Sequence, residues 1–252
     1  MTKPIKINNT LLGSGIPKIA VSITGKDKLQ IISQVNQIMK LAPDVVEWRI
    51  DYLSCIPNYE YLHSILSKIR QLTKSIPLIC TFRSIAEGGN YHLSEQQYLK
   101  LLSKLSQDNS LDILDIEINH DTKLISKVIQ QLHANQKLAL GSLHDFRITP
   151  DNDFILNKIA NMQAVSADIF KLAFMPTNSQ DVLRLMTITR NIADSYDEPI
   201  ITMSMGALGK TSRISGNTSG SVLTFGSLSQ HNESAPGQIC VKNLKNILKT
   251  IQ

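Results

Sequence analysis

The chain is short of cysteine, of aromatic residues and of long apolar runs, and each shortage excludes a class of protein. Its three cysteines, Cys55, Cys80 and Cys240, are odd in number, far apart and form no C-x-x-C pair. Neither a disulfide framework nor a Cys-rich zinc site is indicated, which fits a reducing compartment. Aromatic residues make up only 5% of the chain, so a base-stacking platform for single-stranded nucleic acid is poorly supplied. Glycine and proline number 12 and 9, which excludes collagen-like and low-complexity sequence. No apolar run approaches the ~20 residues that span a bilayer. The start of the chain carries no apolar segment ahead of a small-residue cleavage site, so no signal peptide is expected. The expected location is the cytoplasm. An excess of one charge is lacking as well: 26 Lys+Arg against 21 Asp+Glu leave +5. The basic residues are scattered, and the densest group, Lys242, Lys245 and Lys249, has the spacing of a solvated helix face. The expected partner is a small molecule, with no nucleic acid and no membrane.

Apolar residues, at 42% of 252, are enough to fill one large core or two small ones. They are organised. Short β-rich runs recur at Lys18–Ile23, Val45–Ile50, Pro77–Phe82, Ile113–Ile118, Lys137–Leu143, Ile169–Phe174, Pro199–Met203 and Val222–Phe225. Between them lie helical stripes: Leu29, Ile32, Val35, Ile38 and Met39; Leu62, Ile65, Leu66 and Ile69; Tyr98, Leu101, Leu102 and Leu105 after a Ser94 N-cap; Leu124 to Leu132; Ser179–Ala193; and Gly237–Ile251. Only a short helix fits between the last two runs. Strand–helix alternation implies parallel strands with right-handed crossovers. Eight such units in ~250 residues predict an α/β fold, a (β/α)₈ TIM barrel over residues 1–252 as a single catalytic domain. The segment Ile5–Gly15, with the turn signal Asn8-Asn9, is expected to form an N-terminal β-hairpin closing the barrel floor. A doubly wound open sheet is the competitor; it usually carries a Gly-rich turn after its first strand, and Ile23-Thr24-Gly25-Lys26 is too short for that.

One motif looks like a nucleotide site. Ser204-Met205-Gly206-Ala207-Leu208-Gly209-Lys210-Thr211 follows an apolar strand, but Ser204 stands where the first glycine should be. Only a short helix can follow before Gly216, whereas a P-loop needs a sustained helix facing the phosphates.

Five of the strand runs break the rule that a buried parallel strand reads as continuous apolar sequence, all near their C-terminal ends. Glu47, Arg49 and Asp51 alternate on one face of the second run. Arg83 ends the third, with Glu87 four residues on; Asp115 and Glu117 lie in the fourth; His144-Asp145 end the fifth; Lys171 interrupts the sixth. Each has a structural alternative: an ion pair for Glu47 and Arg49, a hydrogen-bonded core histidine, a snorkelling lysine. Together they converge on the barrel face where such enzymes keep their sites, and burying so many charges for stability alone would be costly. A lysine in an apolar, cation-rich pocket has its pKa lowered from ~10.4, so its neutral amine can attack a ketone and form a Schiff base. A neighbouring histidine suits proton transfer, and arginines imply an anionic substrate. His63, His92, His120, His133 and His231 are scattered in polar contexts and make no metal motif.

These residues, in this order and spacing, resemble the type I 3-dehydroquinate dehydratases. The resemblance runs through Glu47-Trp48-Arg49-Ile50-Asp51, Thr81-Phe82-Arg83, Glu87-Gly88-Gly89, Asp115-Ile116-Glu117, Ser142-Leu143-His144-Asp145-Phe146, Lys171-Leu172-Ala173, Met205-Gly206 to Ser212-Arg213, and Ser234-Ala235-Pro236-Gly237-Gln238. It implies a hydro-lyase of the shikimate pathway that dehydrates 3-dehydroquinate to 3-dehydroshikimate by syn elimination, with no cofactor and no metal. It implies that Lys171 forms the imine, that His144 moves the protons and that Glu87 orients and tunes His144. Arg213 is expected on the substrate carboxylate. Glu47, Arg49 and Arg83 are expected to bind substrate hydroxyls and order the pocket, and Ser22 to touch the substrate. Ser234 and Gln238 are expected on a lid spanning Gly226–Gln238. A homodimer is implied in the same way. The rivals are a Schiff-base aldolase on the same barrel, which would bind a phosphate near Gly216 and Gly220, and a catalytically dead barrel serving as a binding module.

Overall fold

The computed structural model describes residues 2–54, 58–229 and 233–251; Cys55 and the Gln230–Asn232 part of the expected lid lie outside them. The chain begins with an antiparallel hairpin, β1 (Ile5–Ile7) and β2 (Thr10–Leu12). Asn8, at the turn, has φ 52, a left-handed conformation that asparagine tolerates better than most residues. Then come β3 (Lys18–Ile23), α1 (Lys28–Lys40), β4 (Val45–Arg49), α2 (Tyr59–Thr73), β5 (Leu78–Thr81), α3 (Glu95–Leu105), β6 (Ile113–Glu117) and α4 (Thr122–Ala134). The second half holds β7 (Leu138–Asp145), α5 (Asn152–Ala164), β8 (Ile169–Phe174), α6 (Ser179–Ser195), β9 (Ile200–Ser204), α7 (Lys210–Ile214), α8 (Gly216–Ser219), β10 (Leu223–Ser227), β11 (Ile239–Cys240) and α9 (Val241–Thr250).

The sheet runs β11-β10-β3-β4-β5-β6-β7-β8-β9, all parallel. It curls until β9 meets β10. There the Val222 amide donates to the Ile200 carbonyl at 2.9 Å, and Ser221 Oγ accepts from the Thr202 amide at 3.0 Å. The expected eight-stranded barrel is the observed one. No helix among the described residues is long and apolar enough to cross a membrane.

Side chains alternate along a strand, so each barrel strand gives one face to the helices and one to the interior. The outward set, including Val21, Ile23, Trp48, Cys80, Leu114, Leu172 and Phe174, packs against helix residues such as Ile31, Ile65, Leu102, Ile129, Ile159 and Leu185. The inward set is layered. At the bottom each of the eight strands supplies one apolar residue: Ala20, Val45, Ile79, Ile113, Leu140, Ile169, Ile201 and Leu223. Ile7 and Leu12 of the hairpin join the same cluster and close the floor, as expected. One pleat higher the interior turns polar, with Ser22, Glu47, Thr81, Asp115, Ser142 and Lys171 beside Met203 and Phe225, all buried. The next pleat carries Arg49, Glu117 and His144, with Arg83 just past β5.

Three elements differ from expectation. Helix α5 buries Ile155, Ile159 and Met162 but escapes the periodic reading because Phe154 and Leu156 lie exposed on its outer side. Helix α9 starts at Val241, not Gly237, because Ile239 and Cys240 first pair with Gly226 and Ser227 as a ninth strand. For the same reason Gly226 and Ser227 belong to β10 and not to a lid. The P-loop look-alike leads only into the five-residue α7. Ser94 caps α3 with a full capping box, worth about 1 kcal/mol.

Candidate active site

The polar layer is built around two cations. Lys171 is 4% exposed. Its Nζ donates to Asp115 Oδ2 at 3.1 Å, lies 3.6 Å from Glu47 Oε1 and sits 4.8 Å over the Phe225 ring. Its nearest charged neighbours are therefore carboxylates, where the sequence suggested cations. Asp115 accepts four hydrogen bonds, two from Arg83, one from Ser142 and one from Lys171. Burial alone would raise its pKa, but Arg83 and Lys171 hold it below the usual carboxylate value. Glu47 accepts from Ser22 Oγ at 2.6 Å and Thr81 Oγ1 at 2.8 Å. This satisfaction is what makes buried charge tolerable.

Arg83 is the second hub. Burial would lower its pKa, yet Asp115, Glu117 and Glu87 together raise it. Its Nη1 donates to Glu117 at 3.0 Å and Ser142 at 2.9 Å, and reaches Glu87 at 3.4 Å. Glu87 ends a short 3₁₀ turn, Ile85–Glu87. The next residue, Gly88, has φ +83, and a Cβ there would come within 2.2 Å of the Phe146 ring, so only glycine lets Glu87 approach β7. Glu87 Oε2 accepts from both the backbone amide of His144, at 3.0 Å, and its Nδ1, at 2.9 Å. That bond assigns the ring proton to Nδ1 and leaves Nε2 with an open lone pair. Burial, then Arg83, Lys171 and Arg49, holds the His144 pKa well below 6.5. Burial, opposed by Arg83 and assisted by Glu117 and Asp115, holds the Glu87 carboxyl well above 4.5.

Arg49 pairs not with Glu47 but with Asp51, through two bonds of 2.8 Å, and lies 4.9 Å over the Tyr52 ring. A cavity of about 510 Å³ opens above these groups, within the range of small-molecule sites. Glu47, Arg49, Arg83, Glu87, His144, Lys171, Ser234 and Gln238 line it. Ser22 and Arg213 do not. Ser22 lies one contact behind, donating to Glu47 and accepting from Ser234 Oγ at 3.1 Å. Arg213, on α7, is 2% exposed. Its Nη2 donates to the Pro236 carbonyl at 2.9 Å, its Nη1 touches Met203 Sδ at 3.8 Å, and its buried Nε has no partner among the described residues. Burial brings its pKa down to about 10, with only Glu233 opposing.

Residues 233–238 lie across the cavity mouth. Gln238 Nε2 donates to Ser234 Oγ at 2.9 Å, and Ser234 N donates to Gln238 Oε1 at 3.0 Å. The Gly206 amide donates to the Pro236 carbonyl at 3.1 Å. Gly237, at φ +79, packs so closely that a Cβ would meet Gly206 O at 2.2 Å. The glycine-rich stretch that looks like a phosphate loop is thus a docking platform for this segment. Asp115, one of the strand-end charges seen in the sequence, was given no role there, nor were Thr81, Ser142 and Phe225, although all four are buried on inward faces of the barrel strands.

A family model described as type I 3-dehydroquinase matches residues 19–252. A 3-dehydroquinate dehydratase from Lactiplantibacillus plantarum is 39% identical over 252 residues, covering 100% of this chain and 99% of the relative. One from Clostridium kluyveri is 38% identical over 249 residues, covering 98% and 97%. The crystal structure of the type I enzyme from Clostridium difficile, with covalently modified comenic acid, superposes with a TM-score of 0.95 at 36% identity, covering 100% of this chain and 98% of that one. Matched from the first barrel strand to the C-terminus, the chain belongs to the type I 3-dehydroquinase family of hydro-lyases.

Proposed function

We propose that the chain dehydrates 3-dehydroquinate to 3-dehydroshikimate through an imine on Lys171. The observation that carries this reading is that Lys171 and His144 share the inward face of adjacent strands, one pleat apart: Lys171 is opposite Ser142, and His144 opposite Ala173. After giving up its proton, the amine of Lys171 attacks the substrate ketone, and loss of water leaves an iminium. His144 Nε2 takes the proton from the adjacent carbon, and the electron pair moves into the iminium to give an enamine. The enamine expels the hydroxyl, which leaves as water with the proton His144 carried. Hydrolysis then returns Lys171 and the conjugated ketone. Glu87 holds the imidazole in the tautomer this needs. Glu47 and Arg49 reach substrate hydroxyls from the wall, while Arg83 orders the carboxylates around it. The covalently modified ligand of the Clostridium difficile enzyme supports a site that forms covalent adducts. Turnover of 3-dehydroquinate, followed as enone absorbance in the near ultraviolet, tests the reading; a chain that folds and shows no turnover is the dead barrel. The aldolase rival loses its motive, since Gly216 packs on Pro17 and Gly220 on Ala193 and Arg190, away from the lysine.

Among the described residues Arg213 is a buried cation with no carboxylate in contact, and a substrate carboxylate satisfies it. Arg213→Gln should raise KM by about 10- to 100-fold, the worth of a charged hydrogen bond of ~1.5–3 kcal/mol. Steady-state kinetics that leave both KM and kcat/KM unchanged would remove the carboxylate from this position. A pH profile makes a further check. The base must be neutral, and its environment holds its pKa below 6.5, so kcat/KM should stay level as pH falls through 6.5 and decline only below it. A decline centred at or above 6.5 points to another base. A single catalytic domain, a place in the shikimate pathway, a cytoplasmic location and a homodimer complete the reading, on likeness to the family; sedimentation tests the last.

A further inference from the structure

The wall behind the catalytic pair has a second side. Glu87, Gly88, His144 and Phe146 line both the cavity over Lys171 and another, of about 820 Å³, that lies between the ends of β6 and β7 and the loop before α3. Glu117 faces this rear space. Its Oε1 is committed inward, accepting from Arg83 at 3.0 Å and from the Ser84 amide at 2.8 Å. Its Oε2 lies 3.6 Å from Nε2 of His120. The imidazole of His120 stacks on the buried Tyr98 ring, centroids 4.3 Å apart and planes at 23°. The Tyr98 hydroxyl in turn accepts from the Glu117 amide at 2.9 Å. His120 Nδ1 points to Glu95, 3.8 Å away, and the side chain is 22% exposed. A continuous line of charge therefore runs from Glu95 at the surface through His120, Glu117 and Arg83 to Glu87 and His144.

We propose that His120 is a positioning residue: acting through Glu117 and Arg83, it sets the charge balance in which the Glu87–His144 pair works. The inference rests on the catalytic reading of His144. The cluster at the tops of β4 to β8 carries five buried carboxylates, Glu47, Asp51, Glu87, Asp115 and Glu117, against three buried cations, Arg49, Arg83 and Lys171; the buried Arg213 lies apart from it, on α7. Three of the carboxylates share Arg83. When it carries a proton, His120 offsets Glu117 from outside, so less of Arg83 is drawn from Glu87. The groups facing His120 are Glu95 and Tyr98 from α3 and Glu117 from β6; across the rear cavity stand His92, Asp145, Arg147 and Asp151. Arg147 is 87% exposed and 3.6 Å from Asp145, so it does not replace His120. Glu117 is among the groups that push Glu87 up, and His120 among those that hold Glu117 down.

The sign follows. A His120→Gln side chain can carry no proton beside Glu117, which leaves that carboxylate less compensated, makes the pocket more negative and favours protonated His144. In His120→Gln the midpoint of the His144 imidazole, read by NMR titration of the whole enzyme, should rise by about half a pH unit, a plausible size for one charge acting at an effective dielectric of ~20. The acid limb of kcat/KM should move up with it. Glu117→Gln should move both the other way, and adding His120→Gln to Glu117→Gln should change little more. A His144 midpoint that stays in place in His120→Gln overturns the inference, as does a rate loss that is equal at every pH, the mark of a merely structural role. A midpoint that moves while the rate profile does not upholds the electrostatic link and takes down the assignment of His144 as base.

Discussion

Borohydride added with 3-dehydroquinate should inactivate the enzyme and leave a reduced, covalent adduct on Lys171. Hydride adds to the imine carbon and converts a hydrolysable C=N bond into a stable secondary amine, which mass spectrometry of a digest can place. Among the described residues no other lysine lines the cavity, so an adduct elsewhere, or none, ends the Schiff-base reading. Lys171→Ala should lower kcat by on the order of 10⁴-fold or more, the scale on which losing a covalent nucleophile operates. It should not unfold the protein. Asp115 keeps Arg83 and Ser142, and Glu47 keeps Ser22 and Thr81, so neither carboxylate is left bare in the interior. An unchanged thermal midpoint beside vanished turnover separates chemistry from folding.

His144→Ala should still be trapped by borohydride but turn its adduct over slowly. A general acid–base contributes about 10²–10⁴ in rate, and this one serves at two steps, so the upper end is expected. The variant dissects two functions that Lys171→Ala abolishes together: bond formation to the lysine, and proton movement on what is bound there. Glu87 loses its ring partner in the variant but keeps the backbone amide of residue 144 and the distant Arg83 contact. Single-turnover measurements showing rapid imine formation and stalled elimination would match the assignment. Near-normal turnover would sink it.

What could be read from sequence was set by whether a signal is local. Lys171 within Ile169–Phe174 is local: one charge in an apolar run, on a strand whose inward face follows from alternation alone. The same logic made Glu47 and Arg49 visible. It could not foresee that Arg49 would choose Asp51, because the chain leaves the strand after Arg49 for a 3₁₀ turn that brings Asp51 back alongside. Nor could it show that Asp115 meets Lys171, since that depends on the register of three strands between distant parts of the sequence. Arg213 was legible only through family resemblance; in the sequence it is an ordinary residue of a short polar stretch, and its isolation from carboxylates is a property of the folded interior. Helix α5 went unread because Phe154 and Leu156 put apolar weight on its solvent side and blur the stripe.

The hairpin of β1 and β2 has a consequence for traffic. With Ile7 and Leu12 seated against the ring of apolar floor residues, the barrel is, among the described residues, a vessel closed at its floor. On the proposed reading, substrate enters, and product and water leave, past the segment from Glu233 to Gln238 that docks on Gly206 and Arg213. One gate then meters arrival and departure alike. The opening that admits the next molecule is the opening that discharges the last, and the overall tempo of the enzyme can be set by undocking Pro236 and not by any bond broken at Lys171.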